Sequence, residues 1–195
     1  MDSDKLDRRV QRTRQLLVRT LMELIAEKSY DAITIQDITD RANLGRTTFY
    51  LHYQTKDDLL LGHFADFATS LNLNSMSREE LLGDPPSAAL VTFLTQLSGA
   101  QTIYHAFTAG KEAKFLLRGI QEQMMQNLGS SLNAAFPDYS PNLSLDLLTQ
   151  YIVGAQLALM DWWMTTRTDY SAEQLAAALH QLQRAAVRDA YGVVR

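Results

Sequence analysis

Apolar residues recur along this chain at intervals of three and four, the spacing that gathers side chains on one face of an α-helix. Leu17, Leu21, Leu24 and Ile25 predict a first helix of about five turns, from near Asp7 to Lys28. Ile35, Ile38 and Ala42 predict a short second helix, opened by Thr34 with Asp37 three residues on, the pairing of a capping box. Asn43-Leu44-Gly45 reads as a turn, because Asn and Gly both tolerate the left-handed backbone of a tight corner. A third short helix covers about Arg46 to Leu51. The same start signature recurs at Thr55 with Asp58, ahead of a long helix bearing Leu59 and Leu60, then at Ser77 with Glu80 and at Ser171 with Gln174. After the stiff break Gly83-Asp84-Pro85-Pro86, periodicity predicts helices near 87–98, 102–109, 111–135, 141–166 and 172–191. No stretch sustains two-residue alternation, so the chain is read as all-α, with about nine helices.

The 195 residues contain no cysteine, which excludes disulfide scaffolds, cysteine nucleophiles and thiolate metal sites and fits a reducing cytoplasm. The opening MDSDKLDRRVQR lacks the apolar core of a signal peptide. The most apolar run, Tyr151 to Met164, is broken by Gln156 and Asp161 and is shorter than the roughly 20 residues of a membrane span. A soluble, cytoplasmic protein without a membrane partner is expected. His63 with Asp66 lies at i, i+3, while His105 and His180 stand apart, so no metal, cofactor or catalytic constellation is expected either.

The net charge of −4 argues at first against a nucleic-acid partner. Its distribution reverses that reading. Residues 1–56 hold ten basic and eight acidic side chains, whereas 57–195 hold eight and fourteen. From Lys5 to Thr20, Lys5, Arg8, Arg9, Arg12, Arg14 and Arg19 stand against only Asp7, a basic stretch suited to phosphate.

Thr34 to Tyr53, TIQDITDRANLGRTTFYLHY, places a short helix, a Gly-containing turn and a second short helix in succession. This is the helix-turn-helix arrangement, whose second helix enters the DNA major groove. Ala42 allows a steep crossing, and Leu44 and Phe49 point to the core. Arg46, Thr47, Thr48, Tyr50 and His52 are left for the outer face, a set rich in donors and short side chains that suits base edges and phosphates.

The string Tyr30 to Ile35, Asp37-Ile38, Ala42 to Tyr53 and Lys56 to Leu60 resembles the tetracycline-repressor-like, or TetR, regulators over about the first third of the chain. It departs in having Gly45 where many relatives have Ser and Thr47 where many have Gly. The resemblance implies a DNA-binding domain over 1–55 and a helical regulatory and dimerisation domain over 56–195. It implies base reading by Arg46 and Thr47 next to Gly45, contacts to phosphate or base edges from Thr48, Tyr50 and His52, and phosphate contacts from Thr34 and Lys56. Tyr53 is expected to pack beneath the recognition helix.

The resemblance also implies a homodimer through the last two helices, and the sequence supplies small residues Gly154, Ala155 and Ala158 and a stripe of Leu175, Leu179, Leu182 and Ala186 for it. It implies a small-molecule effector among the middle helices, for which Phe93, Tyr104, Phe107, Phe115, Met124, Tyr151, Gln156 and Trp162 are the candidate lining. The expected function is a non-enzymatic regulator, a repressor released from a palindromic double-stranded operator by that effector. The alternatives are a regulator answering to a protein partner without a pocket, and a small all-α enzyme or ligand carrier.

Overall fold

The computed structural model describes residues 2–70, 75–108, 113–166 and 168–193, and among these every regular element is helical. The helices are α1 (Asp2–Glu27), α2 (Ile35–Arg41), α3 (Arg46–Tyr50), α4 (Lys56–Ser70), α5 (Arg78–Leu82), α6 (Ala88–Ser98), α7 (Gln101–Thr108), α8 (Ala113–Ala135), α9 (Leu145–Thr165) and α10 (Ala172–Ala190). A 3-10 turn, Tyr30–Ala32, precedes α2. No described helix is long and apolar enough to cross a membrane.

The helix starts follow local side-chain chemistry. Capping boxes form at Thr34 with Asp37, Ser77 with Glu80 and Ser171 with Gln174. Thr55 and Asp58 exchange the same two bonds, each at 3.0 Å. Ser87 and Ser144 each accept a single backbone bond at the third helical residue. Each cap satisfies N–H groups that the helix itself cannot bond. Ser144 therefore caps α9, whose first helical residue, Leu145, lies four residues beyond the predicted start at Pro141.

By contact the chain divides into two compact units, Met1–Asp66 with Thr102–Leu117, and Phe67–Gln101 with Arg118–Arg195. In the first, Leu17, Leu21, Leu24 and Ile25 of α1 meet Tyr30, Ile33, Ile38, Phe49, Tyr53, Leu59 and Leu60 in one buried cluster. Tyr30 and Phe49 have no exposed surface. Because Leu59 and Leu60 belong to this cluster, the first turns of α4 pack as part of the head.

In the second unit, Leu81, Leu128, Leu132, Phe136, Ile152, Val153, Val187 and Tyr191 share another core, with the Phe136 and Tyr191 rings stacked 4.2 Å apart. Helix α10 packs on α5, α6 and α9. One row of its side chains holds the end of α5. His180 Nε2 lies 2.8 Å from Gly83 O, Arg184 donates to Gly83 O at 2.9 Å and pairs with Asp84, and Arg188 donates to Leu82 O at 2.9 Å. The guanidinium groups of Arg184 and Arg188 thus satisfy carbonyls that a helix C-terminus leaves unbonded.

Gly83 sits where no side chain fits, since a Cβ there would lie 2.6 Å from Glu79 O, a backbone atom fixed by α5. Replacing Gly83 by Ala is expected to lower unfolding stability by on the order of 2 kcal/mol, through displacement of α5 from the α10 clamp. Denaturant unfolding of the two proteins measures it, and an unchanged midpoint contradicts it.

Candidate nucleic-acid interface

Three features hold α2 at a fixed entry angle. Asp37 accepts from Thr34 N at 2.8 Å and from the Thr34 hydroxyl at 2.7 Å, and Thr34 Oγ1 accepts from Asp37 N at 3.1 Å. The Lys28 ammonium reaches the same carboxylate at 2.9 Å. Arg41 meets Glu27 of α1 in a two-pronged pair at 2.9 and 2.7 Å. The bonds from Thr34 and Lys28 hold the Asp37 carboxyl far below its ordinary value, while the Arg41 bond lowers that of Glu27.

The turn that follows ends α2 by a Schellman motif. Asn43 N donates to Asp40 O at 3.1 Å and Leu44 N to Thr39 O at 2.9 Å, with Asn43 at φ 51°. The sequence offered Asn43 and Gly45 for this corner, and Asn43 takes it. Gly45 has φ −76°, caps α3 without a side-chain bond, and would place a Cβ in open space.

Helix α3 has five residues, and Phe49 anchors it by burying completely. Tyr53 is buried 6.1 Å from Phe49, beneath the helix, with the Arg14 guanidinium 5.4 Å from its ring centre. With Phe49 inward, Thr47, Tyr50 and Leu51 point outward at helical spacing, and Arg46 and His52 flank them. Arg46 and Thr47 are exposed, Thr48 and His52 half-buried, and Tyr50 is 56% exposed.

Two residues of this face are additions to the sequence reading. Leu51, 76% exposed, lies one turn beyond Thr47 and offers an apolar surface of the kind that meets a thymine methyl. Gln36 of α2 accepts from Arg46 Nε and donates to Asp40, so α2 braces the arginine while its other four N–H groups stay available as donors. The i, i+4 relation of Thr47 and Leu51 was visible in the sequence. The Gln36 brace depends on the crossing of two helices.

Thr34 and Lys56 are placed differently from the outward set. The Thr34 hydroxyl is engaged as both donor and acceptor within its own capping box. Lys56 is half-buried, and its ammonium donates to Tyr30 O at 2.9 Å and Ile33 O at 3.0 Å. On α1, Arg8, Arg9, Arg12, Arg14 and Arg19 are all exposed.

The candidate effector residues are not gathered around one described cavity. Tyr104 is half-buried in the first unit, whereas Phe93 and Met124 are half-buried in the second. The side chains of Phe107 and Phe115 lie outside the described residues. Gln156 donates to Gln183 at 2.7 Å, Tyr151 is 63% exposed and Trp162 is 40% exposed. Two hollows of about 470 and 460 Å³ run along α10, and none of the eight candidates lines either.

The dimer candidates fall into two sets. Gly154 and Ala155 are half-buried and Ala158 is exposed, and they continue an outward stripe of α9 formed by Leu147, Tyr151 and Trp162. On α10, Leu175 and Leu179 are buried within their own unit, Ala186 is half-buried, and Leu182 is 56% exposed. The buried arc of α10 centres on Ala176, His180, Gln183 and Val187, so the predicted stripe runs along its edge and Leu182 is its outermost member.

Among the described residues, α2, the turn at Asn43 and the outward α3 have the arrangement of a helix-turn-helix. Residues 17–62 match the model of "Bacterial regulatory proteins, tetR family". Over that stretch the chain is similar to the TetR-family regulators. It is 49% identical over 57 residues to the HTH-type transcriptional regulator YxbF of Bacillus subtilis (strain 168), covering 29% of this chain and 15% of that protein. It is 33% identical over 64 residues to DhaS, the dhaKLM operon transcriptional activator of Lactococcus lactis subsp. lactis (strain IL1403), covering 32% and 34%. The match thus spans 15% and 34% of the length of these curated relatives. A TetR transcriptional regulator structure from Streptococcus agalactiae 2603V aligns over 93% of this chain and 98% of its own, with a TM-score of 0.61 at 24% identity, and supports the fold.

Because Asp37 titrates lower in the folded head than in an unfolded chain, its contribution to stability is fully present above its ordinary range near pH 4 and is lost as acid protonates the folded carboxyl. Asp37→Asn is expected to lower the thermal midpoint at neutral pH, with the gap from wild type narrowing as pH falls below about 4. A gap independent of pH contradicts this.

Proposed function

We propose that the chain is a homodimeric transcriptional regulator that reads a palindromic operator in double-stranded DNA with α3. The observation that carries this is the outward face of Arg46, Thr47, Tyr50 and Leu51 on a helix anchored from behind by Phe49. Thr48 and His52 flank that face at the depth where phosphates and groove edges lie, and Gly45 lets the backbone before α3 come close to the duplex. The four remaining donors of Arg46 suit the O6 and N7 acceptors of guanine. Thr34, with its hydroxyl and its N–H both engaged by Asp37, serves this reading by ordering the start of α2.

The α9 stripe supports pairing. Leu147, Tyr151 and Trp162 form an exposed apolar row with Ala158 and the small Gly154 and Ala155, and a second copy would bury it in a four-helix arrangement with Leu182 of α10. Two heads on one site roughly add their binding free energies. Tyr151 and Trp162 therefore serve the pairing surface in this reading, and Phe93 and Met124 remain for a small-molecule effector. DhaS is named an activator, whereas repression here follows from operator occupancy alone. The proposed setting is the cytoplasm, where the operator is.

Arg46→Ala is expected to weaken binding by about 1–3 kcal/mol to a duplex selected from a randomised pool by the wild-type protein, and to relax preference at one base pair per half-site. Equal affinity and unchanged preference in a competition assay overturn the reading of α3. Tyr151→Asp is expected to shift the protein from dimer to monomer in sedimentation at micromolar concentration and to leave the far-ultraviolet helical signal in place. A dimer that persists removes the α9 surface from the proposal.

A further inference from the structure

Arg46 opens α3 and is exposed, and a long side chain at such a place has many rotamers through which to reach a phosphate or a base. The structure holds it by one bond to the preceding helix. We infer that Gln36 and Asp40 of α2 are positioning residues that act through Arg46 and present its guanidinium end-on to a single guanine. This rests on the reading of α3 as the helix that contacts DNA.

The arrangement starts from helical spacing. Gln36 and Asp40 lie four residues apart on α2, so their side chains are neighbours, and Gln36 Nε2 donates to Asp40 Oδ1. Arg46 comes from the next helix, ten residues after Gln36, and its Nε donates to Gln36 Oε1. The chemistry of the two ends admits one orientation of the amide between them. An ionised carboxylate only accepts and a guanidinium only donates, so the amide turns its nitrogen to Asp40 and its oxygen to Arg46. Half a turn of the amide would set oxygen against oxygen and nitrogen against nitrogen. Asp40 thus fixes the amide, and the amide fixes the arginine.

The edge of the arginine that is used decides what is left. A guanidinium offers two parallel pairs of N–H groups, a side edge of Nε with one Nη and a forward edge of both Nη. Gln36 occupies the side edge. The forward edge remains, and its parallel donors match O6 and N7 of guanine. A phosphate contact fixes register without reading sequence and needs no such alignment, so a brace on Nε adds little to backbone binding and much to base reading.

Asp40 has a cost that fits this role. It is exposed on the helix before the reading helix, and its charge has the sign of the DNA. By charge alone it weakens binding to every duplex. Through Gln36 it narrows the choice of duplex, so it lowers affinity while raising preference.

Gln36→Met keeps length and helical preference and removes both bonds without a change of charge. In nitrogen-15-labelled free protein, Arg46 Nε–H is expected to give a slowly exchanging signal that this variant loses while the amide spectrum of the head is kept. Against a duplex selected from a randomised pool by the wild-type protein, affinity is expected to fall about tenfold, with preference relaxed at the base pair that Arg46→Ala also relaxes. The selected half-site is expected to hold G·C at that pair, and another pair there overturns the inference. The slope of log affinity against log salt is expected to stay unchanged. In an Arg46→Ala background the same substitution is expected to cost less than about twofold, because the two residues act as a unit. An equal loss in both backgrounds means that Gln36 acts on DNA by itself, and it overturns the inference. An Arg46 signal that Gln36→Met leaves unchanged does so too.

Asp40→Ala removes the far end of the relay at an exposed position, and it carries the test where Gln36→Met does not fold. It is expected to hasten exchange of Arg46 Nε–H, to raise affinity for an unrelated duplex, and to relax preference at the same base pair. Raised affinity with unchanged preference overturns the inference. A wild-type protein that selects no duplex refutes the reading of α3 and leaves the Arg46 signal to decide the relay by itself.

Discussion

A helix of five residues does not persist in water by itself, because nucleation costs more than so short a ladder of hydrogen bonds returns. Helix α3 exists because Phe49 is buried completely among Leu17, Leu21, Ile38 and their neighbours, a transfer that favours the folded head by up to about 3 kcal/mol. The rest of the head follows from that anchor. With Phe49 inward, helical geometry turns Thr47, Tyr50 and Leu51 outward. The residue that specifies the outward surface is thus one that no partner touches.

The polar contacts around this anchor do a different job from the core. Glu27 with Arg41 and Lys28 with Asp37 lie largely in solvent, where such pairs contribute little to stability. They remove alternatives instead. Together with the capping box at Thr34 and the Schellman turn at Asn43, they leave α2 one entry, one length and one exit. Precision of this kind matters for reading a groove, since base discrimination depends on donor placement to a fraction of an ångström.

How much of this was legible in the sequence depends on the distance over which each feature is decided. The boxes at Thr34, Thr55, Ser77 and Ser171 involve residues three apart and were readable directly, as were the buried faces of α1 and α2. At the corner before α3, composition named two residues able to turn left-handed, and only the hydrogen bonds to Thr39 and Asp40 select Asn43 over Gly45. That Lys56 donates to the carbonyls of Tyr30 and Ile33 could not be read, because these lie far back along the chain and backbone oxygens leave no mark in a sequence. On α9 and α10 apolar periodicity was plain, but apolar residues alone do not say which edge a helix turns to its own core. Leu179 and Leu182 look alike in the sequence, yet one is buried and the other is mostly exposed.

Gly45 stands at the threshold of the reading helix, and the fold makes no demand on it: its backbone is ordinary and the space where a side chain would go is empty. Positions next to a functional surface are usually constrained twice, once by packing and once by the partner. Here the first constraint is missing. A side chain can therefore be gained at this point without a stabilising change elsewhere in the head.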